Sequence, residues 1–154
     1  MQSQRIALVT GANQGVGLQV AKELVANGLT VLPGSRNLER GEAAAKEIGP
    51  GAIAIQIDVT DQTSIAAAAE RIRKEFGRLD LLVNNAGISN TSKSRLSLEE
   101  YAKLTKASNA SLDEVRAVWE TNVFGVLAVY RRCCRPFVSR RMLASSTCRA
   151  ELAR

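Results

Sequence analysis

The sequence predicts an α/β fold built on a doubly wound parallel sheet, and three observations support that prediction. Four short apolar runs alternate with helix-like segments of roughly 10–15 residues. The first apolar run ends in a glycine-rich turn that opens a helix. The composition, with 45% hydrophobic and 23% charged residues, is that of an ordinary globular domain. Strands and helices that alternate in this way form one parallel sheet through right-handed crossovers.

The first half of the sheet comes from two apolar runs. "RIALVT", residues 5–10, reads as a buried strand that ends at glycine. Apolar residues at helical spacing then predict a helix from Val16 to Ala26, which Asn27 and Gly28 end. "LTVL", residues 29–32, is the second predicted strand. We expect Pro33 to end it, since proline cannot donate to an interior ladder.

The second half repeats the alternation. Residues 38–48 predict a helix, 52–57 a strand, 63–76 a helix and 79–83 a strand. A polar stretch follows Gly87, and a helical pattern then runs from Leu98 to Tyr130 with a break near residues 108–110. Trp119 and Phe124 lie on an apolar helix, so we expect both in the core.

The stretch "TGANQGVG", residues 10–17, joins the first strand to the first helix. A helix N-terminus attracts phosphate through its free amides and its positive dipole end, so this turn predicts a dinucleotide site. Glycine would permit the sharp turn at 11, the approach of a ligand at 15 and helix packing at 17. A tight turn without a ligand is the alternative. The residues expected at the cofactor are Gly11, Asn13, Gln14, Gly15, Val16 and Gly17.

The spacing G-x-x-x-G-x-G resembles the cofactor signature of the short-chain dehydrogenase/reductase family. Three later motifs agree with it: "DVT" at 58–60, "NNAG" at 84–87 and "TNVFG" at 121–125. The resemblance runs from about Ile6 to Tyr130. It implies a Rossmann-type fold, incomplete at its C-terminal side, and hydride transfer to or from a carbonyl or secondary alcohol.

The resemblance also assigns roles to individual residues. It implies that Asp58 and Val59 lie beside the adenine, although Asp58 capping the next turn is an equal alternative. We further expect Asn85, Ala86 and Gly87 to line the cofactor, with a stabilising turn as an alternative that can coexist with it.

The end of the second strand favours NADP(H). NAD-selective sites of this kind carry an acidic residue there, whereas this chain reads "VLPGSRN". Ser35 can hydrogen-bond a 2′-phosphate and Arg36 can neutralise it. The alternative is that Arg36 is a solvated loop residue.

The proton-transfer centre of the family has only one match in the chain, the catalytic Asn122. The family uses a Tyr with a Lys four residues later, but Tyr101 is followed by Thr105 and Tyr130 by Cys134. We therefore expect an inactive cofactor-binding fragment of an oxidoreductase. The alternative is a non-catalytic NADP(H)-binding or sensor protein.

Residues 131–154 differ from the rest of the chain. They hold seven Arg, one Glu and all three Cys, so the net charge of +6 comes entirely from them. We expect a dinucleotide-binding domain over residues 1–130 and a basic tail outside the fold, produced by truncation or a frame shift. A genuine arginine-rich arm for nucleic acid is the less favoured alternative, because the segment has no interleaved aromatics.

Several classes of function are excluded or disfavoured. The chain has no His, which excludes a Ser-His-Asp triad and His-ligated metals. No apolar run approaches the ~18 residues that span a bilayer, and no signal peptide is recognisable, so we expect a cytoplasmic protein without a metal, nucleic-acid or membrane partner. The expected partner is a small carbonyl or alcohol substrate. Dimers and tetramers are both common in the family, so a homo-oligomer stays open.

Overall fold

The computed structural model describes residues 4–89, 97–104, 106 and 109–134. Four parallel strands form one sheet in the order β3-β2-β1-β4. The strands are β1 (Ile6–Val9), β2 (Thr30–Ser35), β3 (Ile55–Gln56) and β4 (Leu81–Val83). The architecture is the predicted Rossmann-type sheet with flanking helices, and its incomplete sheet is consistent with a partial chain. No helix in the described ranges is both long and apolar enough to cross a membrane.

The helices lie between and after the strands. They are α1 (Gly15–Ala26), α2 (Leu38–Ile48), α3 (Gln62–Phe76), α4 (Leu98–Leu104), α5 (Leu112–Trp119) and α6 (Val126–Val129). π-helical turns at Glu120–Gly125 and Tyr130–Cys134 continue α5 and α6, so residues 112–134 form one unbroken helical segment, called the long helix below. The helical pattern is interrupted before Leu112, near the predicted break.

The sheet is buried on both faces. Ile6 and Leu8 of β1 pack with α3 and the long helix, whereas Ala7 and Val9 pack with α1. Alternate residues of a strand point to opposite faces, so a continuous apolar run suits a central strand covered on both sides.

Side-chain caps explain where several helices begin. The Asn37 side chain accepts from the Arg40 amide at α2, and the Asp61 side chain accepts from the Thr63 amide at α3. Ser111 caps α5 in the same way. Each of these caps satisfies an amide that lacks a partner in the first helical turn.

The prediction that Pro33 ends the second strand is wrong. Pro33 lies inside β2 and pairs in register with Val9. The β3-facing bonds of β2 are made by Val31, whose amide donates to Gly51 and whose oxygen accepts from Ile53. Because strand residues alternate in direction, Pro33 also faces β3. The missing N–H therefore falls on the β3 side, where pairing breaks between an isolated Val31–Ala52 bridge and the two-residue β3.

The prediction that Trp119 and Phe124 lie in the core is also wrong. Each is 53% exposed, and their ring centroids lie 6.5 Å apart. The opposite side of the long helix is the buried one, where Val129 and Cys133 pack against α3. This helix therefore has apolar residues on two faces, and only one of these faces packs against the rest of the described fold.

The described part of the predicted tail continues the long helix. Residues 131–134 belong to its π-helical turn at Tyr130–Cys134, and Cys133 and Cys134 are buried. Burial raises the pKa of the Cys133 thiol to about 11. The remainder of that segment, residues 135–154, lies outside the described residues.

Candidate functional site

The turn after β1 presents the bare N-terminus of α1. Gly11 and Gly15 adopt φ of 64° and 60°, a region that favours glycine. Gln14 precedes the helix in an extended conformation and makes no side-chain cap, and the first turn holds no acidic residue. The first amides of α1 and its positive dipole end therefore remain available to an anion.

The close approach of this turn to β4 explains the other glycine. A Cβ on Gly17 would lie 2.3 Å from Nδ2 of Asn85, which donates to the backbone oxygens of Thr10 at 3.0 Å and Gly11 at 3.1 Å. A Cβ on Gly11 would lie 2.9 Å from Cα of Ala86. Asn85 and the two glycines thus join the loop after β1 to the loop after β4.

Thr10 is a residue that the sequence analysis did not identify. Its hydroxyl accepts from the amides of Asn85 and Ala86, each at 3.0 Å, and donates to the Val83 oxygen at 3.4 Å. It is 1% exposed, so these bonds form in a water-excluded position. A polar residue at the end of an apolar strand was the available signal, but its partners lie about 75 positions away.

A cavity of about 330 Å³ opens between these loops at the carboxyl ends of the strands. Most of the predicted cofactor residues line it: Gly11, Asn13, Gln14, Gly15, Arg36, Asp58, Val59, Asn85, Ala86 and Gly87. Four further residues line it without having been predicted: Ile57, Thr60, Ile88 and Thr121. The loops after all four strands, together with the long helix, therefore share one cavity.

Three predicted cofactor residues lie elsewhere in the described structure. Val16 is 75% exposed and Gly17 is buried against Asn85. Ser35 is 4% exposed, and its Cβ lies on the side of Gly41 in α2. The Ser35 side chain thus belongs to the contact between β2 and α2.

Arg36 stands at the rim of the cavity, directly after β2. It is exposed, and its backbone oxygen accepts from Nε2 of Gln56 at 3.1 Å. No carboxylate in the described ranges forms an ion pair with its guanidinium. An arginine in this state can bind an incoming anion without first breaking an ion pair.

Asp58 caps the turn between β3 and α3. Its Oδ1 accepts from the Thr60 amide at 2.9 Å and from the Thr60 hydroxyl at 2.7 Å, while its own amide donates to Oγ of Ser64 at 2.9 Å. Asp58 also lines the cavity. Asp58 therefore caps the turn as one alternative predicted, and its place beside the adenine stays a prediction.

The Asn122 side chain hydrogen-bonds to the backbone of the loop after β4. Its Nδ2 donates to the Ile88 oxygen at 2.8 Å, and its Oδ1 accepts from the Ile88 amide at 2.9 Å. Among the residues that line the cavity, its neighbour Thr121 is present and Asn122 is not. The π-helical turn that holds both residues approaches the loop after β3, since a Cβ on Gly125 would lie 2.8 Å from the Val59 oxygen.

Comparisons with known proteins agree with this architecture. A family model described as "short chain dehydrogenase" matches residues 5–142. "Short-chain dehydrogenase/reductase 1" of Saponaria officinalis is 41% identical over 113 residues, which cover 70% of this chain and 35% of that protein. "Sorbitol dehydrogenase" of Cereibacter sphaeroides is 34% identical over 135 residues, which cover 88% of this chain and 48% of that protein.

A solved structure gives the same picture. The 3-ketoacyl-(acyl-carrier-protein) reductase from Brucella melitensis, complexed with NADH, superposes with a TM-score of 0.72 at 32% identity. The match covers 86% of this chain and 50% of that chain. The chain thus spans about half, or less, of the length of these relatives.

Proposed function

Because the chain belongs to the short-chain dehydrogenase family, we propose that it binds NADP(H) as the cofactor-binding part of an oxidoreductase. The reaction is hydride transfer between the nicotinamide and a carbonyl or secondary alcohol. The observation that carries the proposal is the uncapped N-terminus of α1, which opens into the cavity that Arg36 also lines, where no described carboxylate forms an ion pair with its guanidinium.

The residues around the cavity fit a dinucleotide. The first amides of α1 bind the diphosphate, and the absence of a Cβ at Gly15 leaves the approach open. The Asn13 and Gln14 side chains lie beside the same cavity and offer further hydrogen bonds. No acidic residue in the first turn of α1 opposes the negative charge.

The two ends of the cofactor meet different walls. Asp58 and Val59 come from the loop after β3 and would lie beside the adenine, whereas Ala86 and Gly87 come from the loop after β4 and would lie beside a ribose; Thr121 lines the same cavity. The bound cofactor supplies the hydride. Asn122 holds the backbone of Ile88 through two bonds and so positions the loop that carries this second wall.

The preference for NADP(H) rests on Arg36. The chain has no acidic residue at the end of β2 that would hold a 2′-hydroxyl, and Arg36 offers a planar pair of donors for a 2′-phosphate. Ser35 is not among the residues that line the cavity, and its contact with the 2′-phosphate stays a prediction. The Brucella melitensis reductase was solved with NADH. For this chain, we base the preference between NADPH and NADH on its own residues at the end of β2.

The 154 residues include the proposed cofactor-binding residues but not the Tyr and Lys pair that transfers the proton in this family. Neither Tyr101 nor Tyr130 is followed by Lys four residues later. The family's proton transfer depends on that Lys beside the phenol, and this chain offers no such pair. We therefore propose that this chain binds the cofactor with little turnover.

The test is a titration of the 154-residue chain with NADPH and with NADH. Binding is measured by the fluorescence of the nucleotide and by calorimetry. The unmodified chain should bind NADPH more tightly. Arg36→Ala removes charge-assisted hydrogen bonds, so NADPH affinity should fall roughly 10- to 100-fold. NADH affinity should change less than about threefold, since NADH lacks the phosphate that Arg36 contacts.

Lys46→Ala is the matched control, because it removes an exposed cation from the last turn of α2, away from the cavity. Its affinities should equal those of the unmodified chain. Tighter binding of NADH than of NADPH would refute the NADP(H) assignment, and binding of neither nucleotide would refute the cofactor site.

A further inference from the structure

The Gln56 side chain bonds to the residue on which the cofactor preference rests, yet the proposed function does not use it. Gln56 is the last residue of β3 and pairs in register with Ser35 of β2. Its Nε2 donates to the backbone oxygen of Arg36 at 3.1 Å. Gln56 is not among the residues that line the cavity, so an effect on binding there has to pass through Arg36.

The backbone of Arg36 joins two segments that are fixed by other bonds. Before it, the Ser35 oxygen accepts from the Ile57 amide at 2.9 Å. After it, Asn37 caps α2 through its side chain. Apart from the Gln56 bond, no hydrogen bond in the described ranges involves Arg36. The Gln56 amide therefore holds the peptide group between the strand and the helix.

Arg36 also separates the cavity from a second groove. This groove measures about 580 Å³, lies between β3, the start of α2 and α3, and is lined by both Arg36 and Gln56. Asp61 lines the groove and not the cavity, whereas Asp58 lines both and so favours neither. Opposite charges attract, so an Arg36 side chain that is free to turn is drawn toward Asp61 and away from a phosphate in the cavity.

We propose that Gln56 is a positioning residue for recognition of the 2′-phosphate of NADPH, acting through the backbone of Arg36. This inference rests on the proposed function, because it explains how Arg36 is held ready for the phosphate. A group already held in its binding geometry loses less conformational entropy when the ligand arrives. NADH has no phosphate for Arg36 to bind, so Gln56 affects the affinity for NADPH alone.

Gln56→Leu tests the inference by removing the donor while keeping a side chain of similar size. NADPH and NADH are titrated into the 154-residue chain and into the variant. The loss of one hydrogen bond to Arg36 should weaken NADPH binding roughly two- to tenfold and leave NADH binding unchanged. Gln56→Glu also adds a negative charge beside Arg36, so it should weaken NADPH binding more than Gln56→Leu does.

A double variant distinguishes positioning from direct contact. Arg36→Ala already removes the side chain that Gln56 is proposed to position, so adding Gln56→Leu to it should cause no further loss of NADPH affinity. Damage to the fold would instead weaken both nucleotides and would add to the effect of Arg36→Ala. Urea unfolding of each variant checks that the chain is folded.

Gln19→Leu is the matched control. Gln19 is an exposed glutamine of α1 whose Nε2 donates to Oε1 of Glu23 at 2.9 Å, and it lines neither the cavity nor the second groove. Its loss should leave both affinities as they are in the unmodified chain.

The unmodified chain and the variants separate the two ways in which the inference can fail. Suppose that the unmodified chain prefers NADPH. An unchanged ratio of NADPH to NADH affinity in Gln56→Leu then overturns this inference alone, as does a further loss in the Arg36→Ala background. An unmodified chain that prefers NADH, or binds neither nucleotide, overturns the proposed function and this inference with it.

Discussion

At the residue scale, two glycines with positive φ allow backbone strain to be separated from ligand binding. Gly15 has φ 60° and Gly28 has φ 79°, and a Cβ added to either meets nothing within 4 Å. Replacing either with Ala should therefore lower the free energy of unfolding by a similar amount, about 1 kcal/mol. Only Gly15→Ala places a methyl group where the diphosphate is proposed to lie, so only this variant should weaken NADPH binding.

The measurement pairs urea unfolding with NADPH titration for both variants. Gly28→Ala serves as the control for strain alone, because Gly28 lies after α1, at the opposite end of that helix from the cavity. Equal losses of NADPH affinity in the two variants would show that strain, and not the open approach at Gly15, governs binding.

The glycines and polar residues of the turn could be predicted because their signals are local. Gly11 and Gly15 answer a local requirement, a positive φ, whereas Gly17 was found by its spacing in the motif although its reason is the close approach of Asn85. Thr10 and Ile88 could not be identified, because their roles depend on partners far along the chain. Sequence spacing gives proximity along the chain, whereas a hydrogen-bond partner is set by tertiary folding.

At the element scale, helix boundaries followed from the sequence better than strand boundaries did. The predicted helix at 38–48 coincides with α2, because Asn37 and Gly49 cap it with local groups. The predicted strand at 52–57 is only two residues long in β3, since its partner strand contributes Pro33. A strand ends where its neighbour ceases to offer hydrogen bonds, and that neighbour is not visible in the local pattern.

Asp80 joins β1 to β4 and provides a test with a pH dependence. Its Oδ2 accepts from the Ile6 amide at 2.8 Å and from Nε of Arg78 at 2.8 Å. Partial burial alone would raise the pKa of Asp80, but the hydrogen bonds from Arg78 and Ile6 together lower it below the ordinary 3.8. A carboxylate with a lowered pKa stabilises the fold above its unfolded value, and this contribution is lost as the pH falls through the folded value.

Asp80→Asn should accordingly lower the free energy of unfolding by about 1 kcal/mol at pH 7, with solvent screening taken into account. The difference between the variant and the unmodified chain should persist above pH 3.8 and shrink as the pH falls below 3.8. Urea unfolding across this range measures it, with Glu42→Gln on the exposed side of α2 as the control. A difference that stays constant with pH would mean that packing, and not the charge, is responsible.

At the scale of the whole molecule, the cavity depends on the relative positions of all four strands and the long helix. Gly11, Arg36, Asp58 and Ala86 follow the four strands in turn, and Thr121 comes from the long helix. An unfolded chain keeps none of these distances. NADPH should therefore bind the folded chain alone, and its binding energy should add directly to the stability of the fold.

The size of this effect follows from mass action. At a concentration 100 times its Kd, NADPH should add about 2.7 kcal/mol to the free energy of unfolding, which raises the midpoint of thermal unfolding by roughly 5–10 °C in a chain of this size. Differential scanning fluorimetry at increasing NADPH measures the shift, and Arg36→Ala at the same concentrations should show a smaller one. An unchanged midpoint at saturating NADPH would mean that the nucleotide does not require the folded arrangement of the strands. Binding would then have to come from a local segment, and the shared cavity would not be its site.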